Sequence, residues 1–145
     1  MPYTLVEFAR SVNTNLSFGP TIPIDGTQRL ILEFGMPISA SSNFVELTTT
    51  VGWLVTNVFA TPPVQPTLLL ELRLDGILVG SAEQSAIPAD EDETVRMTTM
   101  FQTILTDLPE GYYAFQVFAS NLEDLQGEIN LGGPTHITGK VFVPV

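Results

Sequence analysis

His136 is the chain's single histidine, and there is no cysteine, so nucleophilic and metal chemistry have almost nothing to work with. A Ser-His-Asp hydrolase would have to use His136, and no Gly-x-Ser-x-Gly elbow accompanies it. A metal enzyme on a β scaffold needs several imidazoles or a histidine–carboxylate cluster. His136 instead stands beside Pro134 and Thr135 at the start of a strand-like run, which fits a structural or solvated role. The acidic run Asp90-Glu91-Asp92-Glu93 lacks the glycine and spaced ligands of an EF-hand loop and reads as a solvated connection. Two carboxylate pairs, Glu123 with Asp124 and Asp107 with Glu110, raise glycoside hydrolysis, whose geometry depends on a spatial separation that spacing along the chain does not supply. The expectation is a protein without catalytic residues, cofactor or metal.

Three aromatic residues offer the other kind of site, a flat platform for a sugar. Trp53 falls in phase with Val51 and Val55, and Tyr113 with Phe115 and Val117, so both are expected in the core. Tyr112 is out of phase with its apolar neighbours and is the exposed candidate for a ligand contact.

With five basic against sixteen acidic residues the formal charge is −11. Long-range repulsion opposes nucleic acid and anionic lipid as partners. No apolar run approaches the roughly 20 residues that cross a bilayer, so membrane insertion is not expected. The opening MPYTLVEFAR has no basic region followed by an apolar core, and a Sec leader is not expected either. The absence of cysteine removes disulfide and zinc–thiolate frameworks, leaving packing and assembly as sources of stability. At 145 residues one domain suffices.

The elements that would position any site are strands, because the apolar spacing is period two nearly throughout. The first segment, residues 1–18, reads as an extended arm carrying Tyr3, Leu5, Val6, Phe8, Val12, Leu16 and Phe18. The stretch GPTIPIDGT then reads as a loop separating the arm from a body over residues 29–145. Strands follow around Leu30 to Phe34, with a break at Gly35 to Ser42, and from Phe44 onward, where Val45, Leu47, Val51, Trp53 and Val55 form an inward series bent at Gly52. TPPVQPT must be loop, since three of its seven residues are proline and donate no ladder bond; it crosses between sheets. Leu68, Leu70, Leu72 and Leu74 share one face, and Asp75-Gly76 has the chemistry of a two-residue type I′ hairpin turn leading back through Ile77 and Val79. Glu83 to Glu93 reads as a polar connection. Val95 to Leu105 and Tyr113 to Ala119 are further strands, and two runs close the chain, around Ile129 to Leu131 and from His136 to Val143.

Eight to ten short strands and few helix signals define an all-β, jelly-roll-like antiparallel β-sandwich with an extended N-terminal arm. An extended arm can add a strand to a neighbour's open sheet edge and gain main-chain hydrogen bonds; an ordinary first strand of the same sandwich fits the same residues. Thr48-Thr49-Thr50 and the segment Met97–Thr103 are low in charge and β-prone. On an exposed edge they would favour pairing between molecules, although the plainer reading is an ordinary strand surface.

The segment LPEGYYAFQVFASN, followed by the terminal ITGKVFVPV, resembles the late strands of tumour necrosis factor-like and complement globular-head jelly rolls. There a glycine–aromatic strand start (here Gly111, Tyr112, Tyr113 and Phe115) and a closing strand (here Val141, Phe142 and Val143) line the core and the trimer contacts. Similar domains occur in bacterial spore-surface (exosporium) proteins, and the arm-plus-jelly-roll layout is similar to endospore-appendage pilus subunits. The resemblance implies a non-enzymatic subunit that assembles with itself, as a fibre or trimer-based layer, at a spore or cell surface with other surface proteins as further partners. Because this chain has no cysteine, the disulfide crosslinks some appendage subunits use are excluded. A phage or virion structural protein fits the same traits, and a carbohydrate- or receptor-binding module is the alternative of another class.

Overall fold

In the computed structural model, four antiparallel strand pairings nest inside one another along the chain, and they build the molecule. The structure describes residues 2–16, 21–56, 65–86 and 94–145. Among them nine strands are formed: β1 (Tyr3–Thr14), β2 (Ile22–Ile24), β3 (Arg29–Ile38), β4 (Phe44–Thr56), β5 (Thr67–Leu74), β6 (Ile77–Ser85), β7 (Val95–Thr106), β8 (Gly111–Asn121) and β9 (Glu128–Pro144). At the centre of the nest β5 pairs with β6, then β4 with β7, β3 with β8, and β1 with β9. This is one long ribbon doubled on itself and rolled up. Its rungs fall into two sheets, β1-β9-β4-β7, with β2 also on β9, and β3-β8-β5-β6. Two face-to-face sheets of this order are a jelly roll.

The tip of the ribbon is the Asp75-Gly76 turn, where φ is 47° and 86°, the double positive φ that a type I′ turn requires. Asp75 also accepts a 2.9 Å bond from the Ala114 amide through its carboxylate, tying the tip to β8. Along β5 the leucines at 68, 70 and 72 are fully buried, as their spacing predicts. The core runs the length of the sandwich. One half gathers Ile24, Val51, Trp53, Leu68, Leu70 and Ile129; the other gathers Phe34, Met36, Leu47, Phe115, Val117 and Ile137, with Phe34 and Phe115 stacked at 5.3 Å. Trp53 donates its indole N–H to Thr99 Oγ1 at 2.9 Å, so the largest core side chain has its polar atom satisfied.

Several expectations are corrected. Residues 3–14 do not stand apart from a body beginning near residue 29: β1 pairs along β9 from Tyr3–Pro144 to Thr14–Thr135. The proline–glycine stretch is not a plain hinge, because Ile22–Ile24 pairs with β9 and Ile24 enters the core. β3 runs through Gly35 to Ile38, with Met36 and Ile38 buried. β6 includes Glu83, Gln84 and Ser85, since a strand with one open edge tolerates polar residues. The two closing runs are a single strand, β9, interrupted where Val51 pairs with Thr135 and Trp53 with Leu131, so that residues 132–134 bulge out of register. Gly52 marks this bulge as expected of a bend, but the irregularity lies on β9. A Cβ on Gly52 would collide with the Gly133 carbonyl. The acidic run 90–93 and residues 61–64 of the proline-rich connection lie outside the described residues; the strands that the latter joins, β4 and β5, belong to different sheets.

Candidate functional site

Opposed residues in an antiparallel ladder project to the same side of the sheet, so the register identifies what the β1-β9-β4-β7 sheet shows to solvent. The buried partners Val45, Leu47, Val51 and Trp53 of β4 point inward. The alternate rows point out. At one end Leu5, Phe142, Phe44 and Thr106 form a row across all four strands, flanked by Tyr3 opposite Pro144. The next row is Phe8, Lys140, Glu46 and Ile104; further along come Arg10, Thr138, Thr48 and Gln102, then Val12, His136, Thr50 and Met100.

The aromatic residues of this end pack on one another. Tyr3 meets Phe44 edge-on at 4.8 Å, and Phe44 stacks on Phe142 at 4.7 Å. Their neighbours remain open: Tyr3, Leu5 and Phe8 are 49%, 49% and 48% exposed. Ile104 and Met100 extend the apolar surface to β7, where both are exposed. Apolar side chains scattered singly are ordinary, but a contiguous aromatic array on a sheet face marks an interaction surface. The same face is the least acidic part of the molecule. It carries Arg10, Lys140 and Arg96 against Glu46 and Glu128, a formal 3 − 2 = +1 in a chain of −11.

Of the arm residues expected to dock on a neighbour, Tyr3, Leu5, Phe8 and Val12 sit on this face of β1. Val6 occupies the register irregularity between Leu5 and Glu7 and is exposed. Leu16 lies past the end of β1, exposed, and Phe18 falls outside the described residues. β1 is laid on β9 of its own chain, the pairing of an ordinary first strand. Reasoning from sequence missed Phe44, Ile104 and Met100 as members of the patch, and Phe142 entered only through the resemblance, as part of the closing strand. Only the long-range register brings positions 3, 44 and 142 together.

The remaining candidates are dispersed. His136 has Val12 and Thr50 as its register neighbours, neither of them a carboxylate. Asp107 and Glu110 follow β7 at the Phe44 end, whereas Glu123 and Asp124 precede β9 at the opposite end, so the two carboxylate pairs share no cleft. A cavity of about 340 Å3 is lined by Asp25, Asp124 and Glu128 among others. There Asp124 accepts the Gly26 amide at 3.0 Å and Asp25 the Thr27 amide at 2.9 Å, which shapes the loop. Among the described residues no group of three or more His, Asp or Glu is placed to hold a metal ion. No helix among them is long and apolar enough to cross a membrane.

Trp53 and Tyr113 are placed inward: Trp53 is fully buried, and Tyr113 packs against the core while its hydroxyl donates to the Pro109 carbonyl at 2.7 Å. Tyr112 is 71% exposed on the other sheet, its ring lying over Gly35, where a Cβ would strike it.

No protein-family model matches the chain, and no curated protein does. Among solved structures it is similar to dimeric latent PorU from Porphyromonas gingivalis, at 14% identity and a TM-score of 0.49, over 99% of this chain and 13% of that one. It is also similar to a chain of the T13 IBDV viral particle, at 13% identity and a TM-score of 0.36, over 96% of this chain and 35% of that one. The chain therefore spans about an eighth of the first and about a third of the second.

Proposed function

We propose that this protein is a non-enzymatic structural subunit that associates with copies of itself through the outer face of the β1-β9-β4-β7 sheet. The observation carrying this reading is the array of half-exposed Tyr3, Leu5 and Phe8 around the partly buried, stacked Phe44 and Phe142, placed where the molecule's negative charge is weakest. Two copies at −11 repel over most of their surfaces, so self-association favours the one sheet face that carries no excess of acid. The residues of the N-terminal segment act in place, as the outermost row of this face. A trimer-based layer or a fibre at a spore or cell surface, or a virion shell, is the setting in which such a subunit works. Nucleic acid and membrane are not partners in this reading, and other surface proteins are.

Sedimentation velocity and negative-stain microscopy of the wild-type protein beside Leu5→Glu/Phe8→Glu test it. The wild type is expected to form oligomers or filaments larger than a dimer, which the double variant loses while keeping its β spectrum and melting temperature. A wild type that stays monomeric at hundreds of micromolar overturns the proposal. A second reading, a carbohydrate-binding module, is favoured by the exposed ring of Tyr112; glycan binding abolished by Tyr112→Ala would establish it in place of the first.

A further inference from the structure

Each sheet has two edges, one of them shared by β1 and the three-residue β2, and three of the four edges carry the devices that keep edges from pairing. β1 has two register irregularities and carries Glu7 and Arg10. β3 has an irregularity between Leu30 and Leu32, and contains Gly35, Pro37 and Glu33. β6 is nine residues long, shifts register opposite Leu72 and Arg73, and contains Gly80 and Glu83. β7 has none of these. It pairs with β4 through twelve consecutive residues, Val95 to Thr106, without a shift, and contains no proline, glycine or acidic residue and a single charge, Arg96. Among the described residues its backbone pairs only with β4, while β6 of the other sheet packs beside its inward side through the Thr99–Gln84 hydrogen bond and Gly80 against Thr103; the ladder beyond β7 is the position for another strand.

From this contrast we infer that β7 is a homodimerisation edge: it pairs antiparallel with β7 of a second copy about a two-fold axis at Met100, joining two sheets into one. Antiparallel self-pairing requires opposed residues on the same side of the sheet, and an axis at Met100 meets that condition across residues 95–105. It sets Met100 against its own copy, Thr98 against Gln102, Arg96 against Ile104 and Val95 against Leu105. The occupant is a second copy because β7 satisfies itself. Residues 94–106 bring no acid to the contact, the nearest acids in the chain being Glu93 and Asp107 just beyond it, and the two Arg96 side chains stand about 27 Å apart, eight residues at the strand rise, so neither repels the other. At each end Thr106 meets Thr94, the residue just before the strand, and the register finishes on uncharged side chains. Each copy still carries −11 overall, so added salt, which screens that repulsion, tightens the dimer. This contact is separate from the sheet face of the preceding section: an isologous edge closes at two copies, and the face then joins dimers.

Single cysteines test it cleanly in a chain that has none. Met100→Cys, at a position 68% exposed, should be linked between chains by a short bismaleimide at least tenfold faster than Leu125→Cys, which is 84% exposed on the turn before β9. The linking should persist in a Leu5→Glu/Phe8→Glu background, so that the edge and the face stand or fall separately. A charge pair reads the register: Thr98→Lys/Gln102→Glu should tighten the dimer at least threefold by sedimentation equilibrium, and Thr98→Glu/Gln102→Glu should loosen it by as much. Equal linking rates for the two cysteines, or charge variants that leave the association constant unchanged, overturn the inference.

Discussion

The two solvent-facing sides of this sandwich come from one chain and one period-two rule, yet they have been finished differently. The outer side of the β3-β8-β5-β6 sheet settles much of its polar chemistry internally, although the Arg73 Nε is left without a partner. Arg73 reaches Glu71 at 3.4 Å and Gln28 at 3.2 Å, and its guanidinium lies 5.3 Å from the Phe118 ring centroid. Gln28 also donates to Glu71, and Gln116 donates to Glu33 at 3.3 Å. The aromatic residue Phe118 is thereby approached by a cation of the same chain, and Glu71 and Glu33 have partners. The outer side of the β1-β9-β4-β7 sheet instead stacks the partly buried Phe44 and Phe142 beside Tyr3, Leu5 and Phe8, which stay half open. A surface that has satisfied itself gains little from a partner, whereas exposed aromatic area gains on every contact that removes it from water. In the proposed reading, framework belongs to one face and contact to the other.

The strongest way to break that division is to compare side chains from the inward and outward rows of the same sheet. Trp53→Ala removes a buried side chain and leaves its Thr99 partner without the indole donor, and should cost about 3–5 kcal/mol in denaturant unfolding. Phe8→Glu, on the outward row of β1, should change stability by no more than about 0.5 kcal/mol while weakening self-association. If Phe8→Glu unfolds the protein as Trp53→Ala does, the outer aromatic array is part of the fold and the contact reading loses its basis.

A smaller effect separates the two faces by their charges. Arg73→Ala removes an ion pair that is partly open to solvent and a cation–π contact; after allowance for screening, the loss should be about 1 kcal/mol of stability. Lys140→Ala, on the exposed row of β9, should cost less than about 0.5 kcal/mol. Chemical denaturation of the two variants at low and moderate salt measures both. Equal losses would mean that the two faces are built alike.

What could be read from the residues follows the same physics. Alternation is written locally, so the β5-β6 hairpin, its Asp75-Gly76 turn and the inward positions of Trp53 and Tyr113 were legible. A strand's partner is not written locally. Nothing in Tyr3 to Thr14 addresses it to residues 135–144, because an edge strand exposed on both sides carries only a weak inward signal: Ala9 is its contribution packed against the core. β9 reads as two runs because Gly132, Gly133 and Pro134 interrupt its alternation, although the ladder resumes beyond them. The aromatic patch was half legible for this reason. Its β1 members could be named from the arm, while Phe44 and Phe142 join them only once the ribbon is rolled.

The smallest predicted effect is the one that decides which aromatic residue matters. Tyr112 is the most exposed of the aromatic candidates, so exposure alone would rank it above Tyr3 and Phe8. Its ring, however, belongs to the internally settled face and covers the bare backbone of Gly35, a contact within the chain. Tyr112→Ala should therefore leave self-association unchanged, and should alter stability by no more than about 0.5 kcal/mol, since an open ring forfeits little burial. Sedimentation equilibrium and denaturant unfolding measure the two quantities. A fall in association on Tyr112→Ala comparable to that from Leu5→Glu/Phe8→Glu would place contact function on both faces. Exposed aromatic area by itself, and not its array with the low-acid surface of the β1-β9-β4-β7 sheet, would then be what governs assembly.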